Sequence, residues 1–350
     1  MSKLPTLFAL LVTYLILISC GRVSIINFDE VNLVKPDKVV AWDVDTDWIF
    51  DVQQIVNPNN LQIIQDSILI VQDQVSESDI FHFKVFSLDP FKYAGSIIPN
   101  GRVKGEMVSP HIAKMLPSED YLYLNQNSSG DAFAVDVNTS LMTRNTHFKD
   151  EFDLLPSIVD WLPLDDSKAL ALLYENNEFV CHVVDKEGES LRTFELFKGI
   201  NASRHSTYLS QYMIYNRYLN KVAVPMIFFP QITILDIENE DYFSIAVDKE
   251  YRNWEAVISR RLDMNTIQYY TGLSASPDYL FAVYRKVPLG MLSKSLGSSV
   301  HVFNWDGSLK YDIRVKENIS QIAYDDFNNY LYCIDKVEGR IVRYNQETLL

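Results

Sequence analysis

The side chains in this sequence best suited to recognition lie in a few stretches between apolar runs. They are Arg102, Glu106 and His111, then Arg204 and His205, then Arg252, Trp254, Arg260 and Arg261. A guanidinium can fork around a carboxylate or phosphate with two parallel N–H donors. An exposed indole offers a flat face on which a sugar can stack. The chemistry these residues could do is therefore binding. A plainer reading has Arg102 and Glu106 pairing with each other or with loop carbonyls, and Trp254 packing its own segment down, since surface ion pairs are common. Catalytic signatures do not appear. The histidines, at 82, 111, 147, 182, 205 and 301, lack the His-Glu-x-x-His spacing of a zinc site. The chain carries no Gly-x-Ser-x-Gly elbow and no phosphate-cradling loop. In DVDTDWIFD (43–51), Asp43, Asp45 and Asp47 alternate, but a calcium loop would need Gly at Trp48 and Glu at Gln54. That stretch reads as a solvated strand face and loop, and no metal or other cofactor is expected.

The elements that must position these residues form a repeat. A small polar residue followed by an apolar run opens DSILIV (66–71), DYLYL (120–124), SKALAL (167–172), NKVAV (220–224), DYLFAV (278–283) and NYLYCI (329–334), at spacings of roughly 50 residues. Each run is preceded by another strand-like segment, such as LQIIQ or ISQIAY. Each is followed by an apolar pair and a turn, as in VFSLDP (85–90) and VFNWDG (302–307). Five units add a further strand: YAGSII, LMTRNTHF, SLRTFEL, DYFSIAV and LKYDIRV. Four short strands per unit, repeated six times, predict an all-β, six-bladed β-propeller with four-stranded antiparallel blades. The competing arrangement is a set of independent hairpins in two β-sandwiches. The sixth unit lacks a fourth strand, and KVVAWDV (38–44) has no blade of its own. The expectation is that this N-terminal strand joins 341–346 in the last blade and closes the ring.

In such a ring, loops from one blade's outer strand to the next blade's inner strand share a face with the loops between each blade's middle strands. Segments 45–60, 99–111, 148–156, 198–207, 249–266 and 286–299 are expected there. KEYRNWEAVISRR (249–261) reads as a helix with Trp254, Val257 and Ile258 on one side. VPLGMLSKSLGSS (287–299) reads as a long flap. Long loops on a rigid ring are where binding usually resides. Gln62, Gln65, Lys114, Asp160, Gln268 and Gln321 are the polar residues expected to line the channel.

Composition supports one domain of serial blades. The chain has 350 residues, 47% of them apolar, with 19 Phe and 20 Tyr to fill the wedges between blades. Only 12 glycines are present, so turns must rely on Asp and Asn. The net charge of −15 argues against nucleic acid as a partner. Cys181 and Cys333 fall in apolar strands of opposite blades, where no disulfide is expected.

Residues 1–19 read as a signal peptide: one Lys, an apolar stretch from Leu7 to Ile18, then Ser19 before Cys20. The LISC sequence resembles the lipobox of bacterial lipoproteins. That resemblance implies cleavage before Cys20 and acylation of its thiol and new amino group, with the membrane contacted only through the lipid. Gly21 rather than Asp points to the outer membrane, with the periplasmic or outer face left open. Residues 20–37 read as the lipidated Cys and a tether, and 38–350 as the propeller.

The propeller region resembles the TolB-like six-bladed propeller lipoproteins of the Bacteroides type. The likeness rests on Cys20, on GRVKGE (101–106), and on VHVFNWDGSLKYDI (300–313) followed by ISQIAYDDFNNYLYCID (319–335). Those lipoproteins often carry a Gly-Arg-Gly-Pro-Gly-Glu-like loop after the first blade. Arg102, Gly105 and Glu106 match it, whereas Val103 and Lys104 replace its small and Pro positions. The resemblance implies a fold and an envelope location. Two functions stay open: a non-catalytic module binding a glycan, peptide or envelope protein, or a hydrolase or lyase acting on a saccharide, lactone or ester at the channel mouth.

Overall fold

The computed structural model describes residues 31–42, 54–76, 79–126, 129–154, 158–175, 178–194, 212–249, 262–294 and 297–345. Six separate sheets follow one another along the chain. Blade 1 is β3 (Pro58–Ile64), β4 (Ile68–Asp73), β5 (Phe81–Leu88) and β6 (Phe91–Pro99). Blade 2 is β7 (Pro110–Ile112), β8 (Leu122–Gln126), β9 (Asp131–Val135) and β10 (Phe148–Asp153). Blade 3 is β11 (Ile158–Pro163), β12 (Lys168–Glu175), β13 (Glu178–Asp185) and β14 (Ser190–Phe194). Blade 4 is β15 (Ile214–Asn216), β16 (Lys221–Pro225), β17 (Gln231–Asp236) and β18 (Asp241–Ala246). Blade 5 is β19 (Ile267–Ala275), β20 (Tyr279–Pro288), β21 (Ser298–Asn304) and β22 (Leu309–Val315). Blade 6 has three described strands: β23 (Ile319–Asp325), β24 (Tyr330–Asp335) and β25 (Arg340–Asn345). Pairing within these units is antiparallel. The fold is the expected six-bladed β-propeller.

The hydrophobic core lies between blades. Successive clusters join blades 1 and 2, then 2, 3 and 4, then 4 and 5, then 5 and 6. A last cluster packs Leu61, Ile63, Leu69 and Val71 of blade 1 against Ala323, Tyr332, Ile334 and Ile341 of blade 6. Middle strands are buried on both faces and so read as unbroken apolar runs. Outer strands such as β10 and β14 keep a wet face. The first strand of each blade faces the axis, and those of blades 5 and 6 touch directly. A side chain added at Gly272 on β19 would meet the Gln321 Cα and Ser320 O of β23 at 2.9 Å, so only glycine allows that approach.

Three expectations change. The N-terminal strand does not pair with 341–346. Val31–Leu33 (β1), inside the stretch read as a tether, adds in parallel to β18 of blade 4. Lys38–Ala41 (β2) adds in parallel to β22 of blade 5, pairing Val39 with Asp312 and Val40 with Ile313. The short link between them can reach only the next outer edge, where Asp37 N donates to Leu309 O and Lys310 pairs with the Asp37 carboxylate at 3.0 Å. Trp42 then meets Tyr344 of β25 at 6.1 Å between ring centroids. Among the described residues, the seam between blades 6 and 1 is therefore closed by side-chain packing.

Blade 2 also differs. LMTRNTHF is not a strand: Val137–Thr143 is a helix (α1), and FKDEFD (148–153), expected to be a loop, is β10. The Asp136 carboxylate caps the helix by accepting from Thr139 N at 2.8 Å and Thr139 Oγ1 at 2.7 Å. Lastly, Gln65 does not line the cavity described below. It sits in the turn after β3, where its Nε2 donates to Asp120 O.

Candidate functional site

The two ends of the channel are built from different loops. One end carries the turns that leave each first strand. The other collects the starts of the first strands and the ends of the second, and it holds a cavity of about 440 Å³. Asn59 and Gln72 of blade 1, His111 of blade 2 and Tyr212 before β15 form one side. Gln268, Thr271 and Arg285 of blade 5, with Ser320, Gln321 and Lys336 of blade 6, form the other, and Leu292 makes a lip. Among the described residues, every blade except the third contributes.

His111 and Tyr212 stack nearly parallel, centroids 5.1 Å apart, as one flat wall. Behind them lies a sealed polar layer. Asp160 is 0% exposed and accepts from the backbone N–H groups of Met213 and Trp161. It stands 3.5 Å from His111 Nε2. Lys114 is 1% exposed, donates to Leu61 O and lies over the Tyr212 ring. Burial pulls its ammonium down to about 7, with Asp160 opposing. Burial also pushes the Tyr212 phenol up, helped by Asp160. This layer ties blades 1 to 4 together and does not itself line the cavity.

The opposite wall is organised by Asn318, which is 1% exposed. Its Oδ1 accepts from an Arg285 terminal nitrogen at 2.6 Å, and its backbone carbonyl accepts from Lys336 N at 3.0 Å. Its Nδ2 donates to Leu292 O and Lys294 O. The stretch read as a flap is thus pinned where it is described, through a short 3-10 turn at Leu289–Met291. Several lining groups have no partner in the cavity wall: Thr271 Oγ1, Gln321 Oε1 and Arg285 Nε. Native interiors rarely leave such groups unsatisfied.

Of the candidates read from sequence, His111 belongs to this cavity. Arg102 and Glu106 line a different hollow of about 670 Å³, with Val103, Val108, Phe133 and Phe148 around it. Glu106 there shapes its own loop, Oε2 accepting from Val103 N at 3.1 Å, while Thr146 Oγ1 and His82 Nε2 bond the loop carbonyls of Gly105 and Met107. Cys20, Asp43, Asp45, Asp47, Arg204, His205, Arg252, Trp254, Arg260 and Arg261 lie outside the described residues. Gln268 and Gln321 line the cavity as the inner-strand reading expected. Gln62 instead bonds Met115 O between blades 1 and 2. Tyr212, Arg285, Asn318 and Lys336 were not singled out from sequence. Arg285 alone carried a usable signal, a cation inside the apolar strand YLFAVYRKV. Among the described residues, no three His, Cys, Asp or Glu gather where they could hold a metal ion. Cys181 and Cys333 are buried free thiols.

The architecture has solved counterparts. The chain is similar to a member of the DUF4221 family from Bacteroides vulgatus. That match has 10% identity and a TM-score of 0.55, and covers 87% of this chain and 94% of the other. A chain of the mitotic checkpoint complex matches with 11% identity and a TM-score of 0.50, covering 91% and 97%. Raptor from Chaetomium thermophilum matches with 10% identity and a TM-score of 0.50; the match takes in 83% of this chain but only 28% of Raptor. At these identities the likeness is one of fold alone. No family model matches the sequence, and a search of curated proteins gave no match.

Proposed function

We propose that this propeller is a non-catalytic binding protein of the bacterial envelope that seats a glycan in its channel mouth. The observation carrying this reading is the cavity wall itself: amides, hydroxyls and one stacked aromatic pair, with polar atoms that have no partner among the described residues. Such a wall suits a hydroxyl-rich ligand that can both donate and accept. The buried Lys114 and Asp160 are engaged by backbone groups and sealed from the cavity, which favours binding over hydrolysis or lyase chemistry. The anchor is a lipid on Cys20 in the outer membrane, as the Leu-Ile-Ser-Cys sequence after an apolar run suggests, and membership of the TolB-like lipoprotein group goes with it.

The test is a glycan panel presented to the full chain in detergent. A bound glycan should lose roughly tenfold in affinity in Tyr212→Ala, given the worth of an aromatic platform. Affinity unchanged in both Tyr212→Ala and Gln268→Ala would sink this site, and absence of any glycan binding would move the search to peptides and envelope proteins. Palmitate labelling that survives Cys20→Ala would refute the anchor.

A further inference from the structure

The cavity differs in charge from the rest of the molecule. The chain carries 46 Asp and Glu against 31 Lys and Arg, yet none of the described residues lining the cavity is acidic. Arg285 is 9% exposed. It donates to Asn318 Oδ1 at 2.6 Å and to Leu292 O at 3.4 Å, both uncharged oxygens, and its Nε has no partner among the described residues. A guanidinium withdrawn from water without a carboxylate is costly, and proteins normally pair such a charge. Lys336 stands at the rim of the same cavity, and among the described residues its side chain has only Asn57 Oδ1, at 3.4 Å, as a partner. Asn318 fixes both residues, one through its side chain and the other through its backbone. The buried Asp160 carboxylate, behind the His111 side of the wall, is held by two backbone N–H groups.

We infer that the cavity takes a saccharide bearing a carboxylate, its carboxylate seated on Arg285 with Lys336 at the rim and its ring against the His111–Tyr212 wall. This rests on the glycan reading above and adds the acidic group to it. A guanidinium edge and a carboxylate match in geometry, and a desolvated pair of this kind discriminates strongly against the neutral analogue.

The test compares oligogalacturonate with its methyl ester by calorimetry on the full chain, since the ester keeps the ring and hydroxyls and removes the charge. The acid should bind, weaken with added salt, and lose roughly 10- to 100-fold in affinity on esterification, the worth of hydrogen bonds to a charged group. Arg285→Gln should abolish that preference. Because Arg285 also supports Asn318, Arg285→Lys and the exposed Lys336→Gln serve as folded controls, and each should reduce the preference. Equal binding of acid and ester would overturn the acidic inference and leave the glycan reading standing. Binding of neither would overturn both. Inorganic sulfate competing as well as a free uronate would assign the seat to a sulfated or phosphorylated ligand and overturn the carboxylate.

Discussion

The two mouths of the channel use charge in opposite ways. At the turn-bearing mouth, acidic residues recur in the turns after the first strands: Asp66, Glu119 and Asp120, Asp165 and Asp166, Asp278, Asp325 and Asp326. Many are engaged locally. Asp325 accepts from Asn328 N at 3.0 Å and Asn328 Nδ2 at 2.9 Å, Asp165 accepts from Ser167 N at 2.8 Å, and Glu119 pairs with Arg217 at 3.2 Å. In a chain poor in glycine, these carboxylates make the turns. Among the described residues that line the cavity mouth the charges are cations, and the buried one has no counter-charge. A charge answered by its own backbone is part of the fold. A charge left unanswered in a concavity is a place for something else.

The comparison can be broken at several points. The largest effect is expected from Asp160→Ala, which leaves Lys114 buried without its counter-charge and two backbone N–H groups without an acceptor. It should cost about 3–5 kcal/mol in denaturant unfolding, and a loss below 1 kcal/mol would mean the sealed layer does not hold blades 1 to 4. Asn318→Ala should cost about 2–3 kcal/mol through lost buried hydrogen bonds, and should also free the Leu292 lip, read as faster proteolysis near 292–294. Retained protease resistance would separate the lip from Asn318.

The pH dependence follows in size. Lys114 titrates near 7 in the folded protein and near its ordinary, higher value when unfolded. Between about pH 7 and pH 10 the unfolded chain therefore holds the extra proton, and stability should rise with pH by on the order of 1 kcal/mol per unit at most. His301, lowered to about 4 by burial with Asp312 opposing, adds a second rise between about 4 and 6.5 by the same sign. Unfolding midpoints in Lys114→Met should lose the alkaline rise and keep the acidic one; the reverse would misplace both groups.

Smaller effects belong to the turn-bearing mouth. Asp136→Ala removes a helix cap whose carboxyl is held below its usual range by the Thr139 N–H, and should cost about 1 kcal/mol. Asp326 is pushed the other way, by burial and then by Asp66, Asp278 and Asp325. A raised carboxyl loses stability as pH climbs through its unfolded value, so Asp326→Asn should stabilise the protein at neutral pH by a few tenths of a kcal/mol after solvent screening. Destabilisation there would mean that Asp326, like Asp325, builds its turn.

Much of the ring was legible from sequence because its signals are local. Apolar runs buried on both faces, polar turn residues and a regular spacing mark the strands one by one. The local signal failed where polarity misled it: FKDEFD carries three acids because one face of β10 is wet, and LMTRNTHF looked extended although Asp136 starts a helix there. It failed again at the N-terminus, where four residues of KVVA could extend any open outer edge, and proximity to β1 selected blade 5.

The sequence by itself determined six repeated β-units, their strand count and the acidic, glycine-poor turns, since each depends on neighbours along the chain. The tertiary structure alone decided that Gln72, His111, Tyr212, Arg285 and Lys336 surround one cavity. They come from five blades, and they meet only because first strands converge on an axis that no residue spacing encodes. It also decided that Asn318 is a buried strut and that Arg285 has no anion beside it among the described residues. Whether a charge has a partner is a property of the space around it.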